Sequence, residues 1–141
     1  MGLLDNYTGI GMSPRPRWQH QNVIRRAIIR TYEELEEQGL LMQSESTVTD
    51  DWDDLAPDLV IFDSRYRPLS IIEITTHKEC RKIIRKCHEL IVRFPEAEYF
   101  VYDYERGMLY AYNAPADEWV SAEDYVITSR YLSRPLVEYL S

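Results

Sequence analysis

Asp58 and Glu73 are the two residues whose types and spacing could support chemistry in this chain. They belong to the segment APDLVIFDSRYRPLSIIEITTHK, in which two apolar runs flank the turn SRYR and read as β-strands. If the carboxylates face each other across a hairpin, their Cβ atoms lie about 5 Å apart, where like charges destabilise each other. A divalent cation, a lysine or a proton on one carboxyl group would compensate. Two such oxygen ligands suit magnesium or manganese.

The register of this hairpin follows from its turn. If Ser64 and Arg67 close the turn, then Val60 faces Ile71 and Phe62 faces Leu69. The same register places Asp58 opposite Glu73, and all six side chains share one face because facing alternates every second residue. The other interpretation is that both acids lie at a hydrated end of the sheet and repel each other weakly.

The rest of the chain predicts one domain spanning residues 1–141, with an α/β fold in which helices pack on a mixed sheet. Apolar spacing predicts a helix over residues 18–38, and Thr76 could cap a second helix that continues to about Phe94. Residues 40–49 have the pattern of a strand, and DDWDD reads as an acidic loop. EYFVYDY, the turn ERG and MLYAYN predict a tyrosine-rich hairpin. SAEDYVITS reads as a last strand or loop, and RPLVEYL as a short helix.

Composition limits the class of protein. Hydrophobic residues are 45% and charged residues 28% of the chain, which is typical of a water-soluble globular protein. No apolar stretch is long enough to span a bilayer, and the N-terminus lacks the features of a signal peptide. Cys80 and Cys87 fit neither a disulfide framework nor a zinc site. A cytoplasmic protein without a membrane partner is expected.

Charge is distributed unevenly along the sequence. Residues 14–30 hold five arginines and no acid, residues 31–64 hold eleven acids and no lysine or arginine, and residues 77–93 hold six bases and two acids. The two basic helices could bind the phosphates of DNA through Arg25, Arg26 and Lys82. The alternative is that these charges form solvated helix faces.

An ordered set of motifs resembles a known family. The motifs are MSPRPRWQHQ, APDLVIFD, the glutamate of IIEIT, a basic helix with a late lysine, and EYFVYDYERGMLYAY, covering about residues 11–132. The chain is similar to the "putative restriction endonuclease" family, long catalogued as a domain of unknown function, within the PD-(D/E)XK superfamily. The resemblance implies a restriction-endonuclease-like α/β fold and magnesium-dependent hydrolysis of phosphodiester bonds.

The resemblance also implies roles for particular residues. Asp58 and Glu73 would bind the metal, with the main-chain carbonyl of Ile74 as a third oxygen ligand. His20, in the His-Gln pair that opens the first helix, would line the site and contact nucleic acid. A histidine at a helix start is otherwise a capping or packing residue.

The lysine that this superfamily usually carries two residues after the glutamate is Thr75 here. The resemblance implies a lysine from the following helix instead, either Lys86 or Lys82. Lys86 flanks the apolar face of that helix, whereas Lys82 points to solvent but lies nearer the helix start. Either ammonium could stabilise the negative charge that develops on a phosphate. Lys86 is the preferred candidate.

Other residues carry weaker signals. Glu33, Glu34 or Glu37 on the first helix could bind metal. Together with Glu36, however, these glutamates are more simply explained as a solvated helix face. His77 and His88 have no partner pattern and are assigned neither a zinc-binding nor an acid–base role. The hairpin tyrosines could stack on nucleotides, although such residues usually pack in the sheet.

The sequence therefore predicts a magnesium- or manganese-dependent endonuclease acting on DNA. The alternative is a catalytically inactive interaction module on the same scaffold, which Thr75 and the net charge of −8 favour. A homodimer is also expected, and in one interpretation the hairpin edge pairs with a second copy.

Overall fold

The structure is a computed structural model that describes residues 14–44 and 56–141. Its elements follow the predicted order of a helix, three strands, a helix and a hairpin, with one further strand and a short helix after them. The helices are α1 (Pro14–Glu37), α2 (Cys80–Arg93) and α3 (Val137–Leu140). The strands are β1 (Leu41–Ser44), β2 (Leu59–Phe62), β3 (Pro68–Thr75), β4 (Glu98–Asp103), β5 (Met108–Asn113) and β6 (Glu118–Ser121).

The six strands form one mixed sheet in the order β1-β2-β3-β4-β5-β6. Strands β3 and β4 are parallel, with α2 as the crossover between them, and the other neighbours are antiparallel. The end of β3, the end of β4 and the start of β2 therefore meet at one edge of the sheet. Residues that precede β2 and residues that end β3 are brought together there.

Alternating side chains of the central strands separate into two apolar clusters, one on each face of the sheet. The first cluster joins α1 and α3 to Leu59, Ile61, Ile72 and Ile74. The second joins α2 to Val60, Phe62, Ile71, Tyr99 and Val101. Since both faces are covered, β2 reads as an unbroken apolar run and not as an alternating one. The helices α1 and α2 consequently lie on opposite faces.

The predicted hairpin register holds at Val60 and Ile71, which are partners in the sheet. It is wrong at the turn, where Phe62 pairs with Pro68 and not with Leu69 because a bulge follows Ile61. The bulge lies on the turn side, so the register farther along the strands is unchanged. Asp58 lies one residue before β2, beyond the last ladder pair of Leu59 with Ile72.

Some predicted boundaries are wrong. Helix α1 begins at Pro14, and α2 begins only at Cys80, after a turn in which Thr76 Oγ1 accepts the main-chain N–H of Glu79 at 3.3 Å. Of the predicted strand over residues 40–49, the described part is β1, and the acidic loop DDWDD lies outside the described residues. Of SAEDYVITS, only Ser121 belongs to a strand.

Strand β6 begins at Glu118, ahead of the last strand or loop predicted at SAEDYVITS, and it changes the dimer hypothesis. It pairs with β5, while β4 pairs with β3, so both edges of the tyrosine-rich hairpin are already occupied. Pairing of the hairpin edge with a second copy is therefore wrong. A homodimer through another surface stays a prediction.

Helix α2 depends on Leu90 for its position on the sheet. Leu90 is fully buried, whereas Val92 on the same helix is 83% exposed. We expect Leu90→Ala to lower the free energy of unfolding by about 2–5 kcal/mol, because it removes apolar contacts and leaves a cavity. Val92→Ala, the matched control, should change it by less than about 0.5 kcal/mol. Denaturant unfolding of both variants measures the difference, and equal losses would contradict the packing of α2.

Candidate active site

Asp58 is held at the sheet edge by contacts on both carboxylate oxygens. Its Oδ2 accepts the main-chain N–H of Ile74 at 2.7 Å, beyond the point where the β2–β3 ladder ends. Its Oδ1 lies 3.0 Å from Nε2 of His20 on α1. The Asp58 side chain keeps 17% of its surface exposed. The carboxylate is thus fixed in orientation yet reachable from solvent.

Glu73 lies in β3 next to Asp58 and is fully buried. Its Oε1 accepts the main-chain N–H of Asp58 at 3.2 Å. Its Oε2 lies 2.9 Å from Nζ of Lys86, which makes an ion pair. The same oxygen has no hydrogen bond of good geometry from the described residues, so the lysine contacts it at a poor angle. Glu73 Oε2 therefore keeps a lone pair for another partner.

Lys86 reaches this carboxylate from the flank of α2. The apolar face of the helix packs on the sheet through residues that include Cys87 and Leu90, and Lys86 lies beside that face with 20% of its side chain exposed. Its Nζ also donates to the main-chain carbonyl of Ala56 at 3.0 Å. Lys82, one turn earlier, is exposed, and no described contact joins it to either carboxylate. The structure brings Lys86, and not Lys82, to the pair.

Thr75 occupies the strand position two residues after Glu73, where PD-(D/E)XK nucleases usually have a lysine. It is buried on the sheet face of Glu73, two residues farther along β3. Its hydroxyl donates to the main-chain carbonyl of Thr76 at 2.9 Å. This short polar side chain carries no charge and is turned back to its own backbone, which leaves Lys86 as the ammonium next to the carboxylates.

The surroundings push the pKa values of the two carboxyl groups apart. Burial, together with the neighbouring charge of Asp58, raises the pKa of Glu73 to about 8, although Lys86 opposes the shift. Burial also acts to raise the pKa of Asp58, but the hydrogen bond and charge of His20 and the N–H of Ile74 hold it below its usual value. Asp58 is therefore the ionised member, and one proton shared within the pair relieves the repulsion.

The main-chain carbonyl of Ile74 points to the same side of β3 as Asp58. In a strand, the N–H and C=O of one residue point to the same neighbour. The Ile74 N–H bonds Asp58, and the carbonyl of Thr75 points the other way, accepting the N–H of Tyr104 at 3.1 Å. Because β2 has already ended there, the Ile74 carbonyl has no ladder partner in β2.

The predicted nucleic-acid contacts on the two basic helices differ in exposure and in their partners. Arg25 on α1 is exposed and donates to Asn22 at 2.6 Å, while Lys82 projects from α2 on the opposite face of the sheet. Arg26 is half-buried and donates to the main-chain carbonyl of Leu140, so it ties α1 to α3. Arg25 and Lys82 therefore lie on helices that cover opposite faces of the sheet, and a phosphate track across both basic helices stays a prediction.

The other candidate ligands lie elsewhere. Glu34 accepts the hydroxyl of Tyr139 at 2.8 Å, and Glu33 and Glu37 are exposed. Within residues 14–44 and 56–141, no three His, Cys, Asp or Glu side chains are placed to hold a metal ion together. Any metal bound at the pair would rely on two carboxylates, main-chain oxygen and water.

Two features of the edge were missed by sequence reasoning. One is the partner of His20: the resemblance implied that His20 lines the site, but not that it contacts Asp58, since the sequence gives no measure of how closely α1 approaches the start of β2. The other is a hydrogen bond between His77 and Asp103 at the ends of β3 and β4. The sequence did contain a signal for the hydrogen bond of His77 with Asp103. Asp103 ends an apolar strand, and the carboxyl ends of neighbouring parallel strands are where functional side chains meet.

Comparison of the structure with solved structures finds a chain from Anabaena variabilis ATCC 29413, described as a "putative nuclease belonging to DUF820". The TM-score is 0.57, the identity is 14%, and the match covers 87% of this chain and 82% of that one. The two chains share a fold. The predicted restriction-endonuclease-like α/β class, a mixed sheet flanked by helices, is confirmed. No protein-family model and no curated protein matches the sequence.

In the described part of the chain, no helix combines the length and the apolar character needed to cross a bilayer.

Proposed function

We propose that this protein is a metal-dependent nuclease that hydrolyses phosphodiester bonds of DNA. The observation that carries the proposal is the convergence of two carboxylates and one ammonium, Asp58, Glu73 and Lys86, at one edge of the sheet. We also propose that the chain is a member of the PD-(D/E)XK superfamily whose lysine has moved from β3 to α2. The shared fold with a chain described as a nuclease supports both proposals.

The donor set at this edge fits magnesium or manganese. The buried Oε2 of Glu73 has no well-aligned hydrogen bond, Asp58 is partly open to solvent, and the Ile74 carbonyl points to the same side. All three are hard oxygen donors, which these cations prefer, and water could complete the coordination. When bound, the cation would lower the pKa of the attacking water and polarise the scissile phosphate.

Lys86 and His20 have separate tasks in this proposal. Lys86 Nζ is anchored by the carbonyl of Ala56 and by Glu73, so its charge is held in place before substrate arrives. A fixed ammonium stabilises the negative charge that develops on the phosphate. His20 contacts Asp58 Oδ1 at 3.0 Å, so it acts as a positioning residue that holds the carboxylate.

Support for DNA as substrate comes from the exposed side of α2. Arg81, Lys82 and Arg85 are exposed there, and within the described residues none of them forms an ion pair. These charges lie on the helix that also supplies Lys86. Neutralising phosphates with such side chains releases counterions and favours binding at low salt.

The proposal predicts cleavage of supercoiled plasmid DNA by the purified protein in magnesium or manganese. Asp58→Asn should cleave at least about a hundredfold more slowly, because one metal ligand loses its charge. Asp63→Asn is the matched control, since Asp63 caps the hairpin turn through hydrogen bonds to Arg65 and Arg67, away from the pair. Agarose gel electrophoresis of the products over time measures the rates.

Cleavage that continues at the same rate in EDTA or in Asp58→Asn would contradict a metal-dependent site. If the wild type cleaves neither DNA nor RNA in any divalent cation, the inactive interaction module is the better description. In that case the ion pair of Lys86 and Glu73 would serve only to neutralise a buried carboxylate.

A further inference from the structure

Asp103 is a second buried acid at the same edge of the sheet. It ends β4 and is fully buried, and its partner in β3 is Thr75, so its side chain lies on the α2 face like that of Glu73. Its Oδ1 accepts the main-chain N–H groups of Glu105 and Arg106 at 3.0 and 3.2 Å, which shape the turn between β4 and β5. Its other carboxylate oxygen, Oδ2, contacts a histidine.

The partner of Oδ2 is His77, in the connection from β3 to α2. His77 Nδ1 lies 2.9 Å from Asp103 Oδ2, and the His77 main-chain N–H donates to Glu105 Oε1 at 2.9 Å. The side chain of His77 is 48% exposed, whereas that of Asp103 is 1% exposed. One ring nitrogen is therefore fixed on a buried carboxylate, and the exposed part of the ring carries the other, Nε2.

We propose that His77 is a substrate-contacting residue whose Nε2 donates a hydrogen bond to the DNA phosphate backbone beside the scissile bond. This inference rests on the proposed nuclease function and adds a substrate contact to it. An imidazolium is a donor at both nitrogens, so it can bridge Asp103 on one side and a phosphate on the other. A neutral imidazole held by Asp103 through Nδ1–H would lack a proton at Nε2.

The spacing along the edge suits one continuous strand of DNA. At about 3.3 Å per residue and 4.8 Å between strands, the Cα atoms of Glu73 and Asp103 lie roughly 8 Å apart. Successive phosphates of one strand are farther apart than the axial rise of about 3.4 Å, because the strand also winds around the axis, so this distance fits a phosphate next to the scissile one. Lys78 and Arg81, both exposed and within four residues of His77 in the sequence, add positive charge to this part of the chain.

The alternative role for His77 is to tie the β4–β5 turn to the start of α2. Substitution by asparagine separates the two roles, because the asparagine amide can replace Nδ1 as a donor to Asp103 but has nothing at the position of Nε2. His77→Ala removes both groups. His88→Asn is the matched control, since His88 is an exposed histidine of α2 that accepts a hydrogen bond from Trp119 at 3.2 Å.

Binding of a short fluorescein-labelled DNA duplex, measured by fluorescence anisotropy in EDTA at about pH 6 and several salt concentrations, tests the proposal without cleavage, because an imidazole is largely protonated at this pH. We expect His77→Asn and His77→Ala to bind roughly tenfold more weakly than the wild type, as expected for loss of a charged hydrogen bond. The slope of log affinity against log salt should fall by about 0.9, the value for one phosphate contact. His88→Asn should bind like the wild type, and thermal melting of His77→Asn should match the wild type.

If His77→Asn binds with wild-type affinity and salt slope while His77→Ala does not, His77 only ties the turn and the inference is overturned. Wild-type affinity in both variants overturns it as well, and in each case cleavage by the wild type would leave the nuclease function standing. A wild type that neither binds nor cleaves DNA would overturn the function and this inference together.

Discussion

Lys86→Ala is expected to slow DNA cleavage by about 10²–10³-fold, the usual loss when a fixed donor to a developing negative charge is removed. The structure gives the reason, since Lys86 Nζ is the ammonium in contact with Glu73 Oε2 and is anchored by the Ala56 carbonyl. The loss should appear in kcat more than in KM, because the charge it stabilises is greatest in the transition state. Single-turnover cleavage of a labelled duplex measures it.

The assay is run at several pH values on both sides of the Glu73 pKa of about 8, because the metal binds the ionised carboxylate. Lys86 opposes the rise of that pKa, so its removal would also make Glu73 harder to ionise and weaken metal binding at lower pH. Lys82→Ala is the matched control, because it removes an exposed lysine one turn away on the same helix; it should raise KM through weaker DNA binding and leave kcat unchanged. Thr75→Lys in the Lys86→Ala background should recover part of the rate, since Thr75 shares the face of Glu73. Equal rates in Lys86→Ala and the wild type would show that the lysine is not catalytic.

Glu73→Gln is expected to abolish stabilisation by magnesium or manganese. A ligand that binds only the folded state adds RT ln(1 + [L]/Kd), about 2.7 kcal/mol at a hundredfold excess over Kd. Binding requires the ionised carboxylate, so in the wild type the increment should grow as pH rises through about 8. Differential scanning fluorimetry with and without the cation measures the increment at each pH.

Without metal, Glu73 should also make the wild type less stable as pH rises. The folded state holds the Glu73 proton up to about 8, whereas an unfolded glutamate releases it near 4.5, so its stabilisation is complete below 4.5 and is lost between these values. Glu73→Gln should remove that decline. Glu89→Gln, which changes an exposed glutamate of α2, is the control and should keep both the decline and the metal increment. A metal increment in Glu73→Gln equal to that of the wild type would place the metal elsewhere.

Side-chain periodicity was sufficient to predict which strand residues share a face and which lysine of α2 lies beside the apolar face. The strand period of two places Val60, Ile71 and Glu73 on one face, and the structure has them on the α2 side. The helical period of about 100° per residue distinguishes Lys86, beside the apolar face, from Lys82 in solvent. Both arguments depend only on local geometry, which the sequence determines directly.

What could not be predicted depends on how elements approach each other in space. The bulge that pairs Phe62 with Pro68 is a local departure from regular pairing. The contact of His20 with Asp58 requires the position of α1 over the start of β2, and the bond of His77 with Asp103 requires the parallel register of β3 and β4. Interactions across separate elements follow from packing, which one sequence does not specify.

Anomalous diffraction from crystals soaked in manganese would show directly whether a cation binds at this pair. We expect one anomalous peak between Asp58 and Glu73, within coordination distance of a carboxylate oxygen from each and on the side to which the Ile74 carbonyl points. Lys86 should then remain beside the peak without bonding to it. An edge that stays free of manganese at high pH, with Lys86 and Glu73 still paired, would contradict a metal-dependent nuclease.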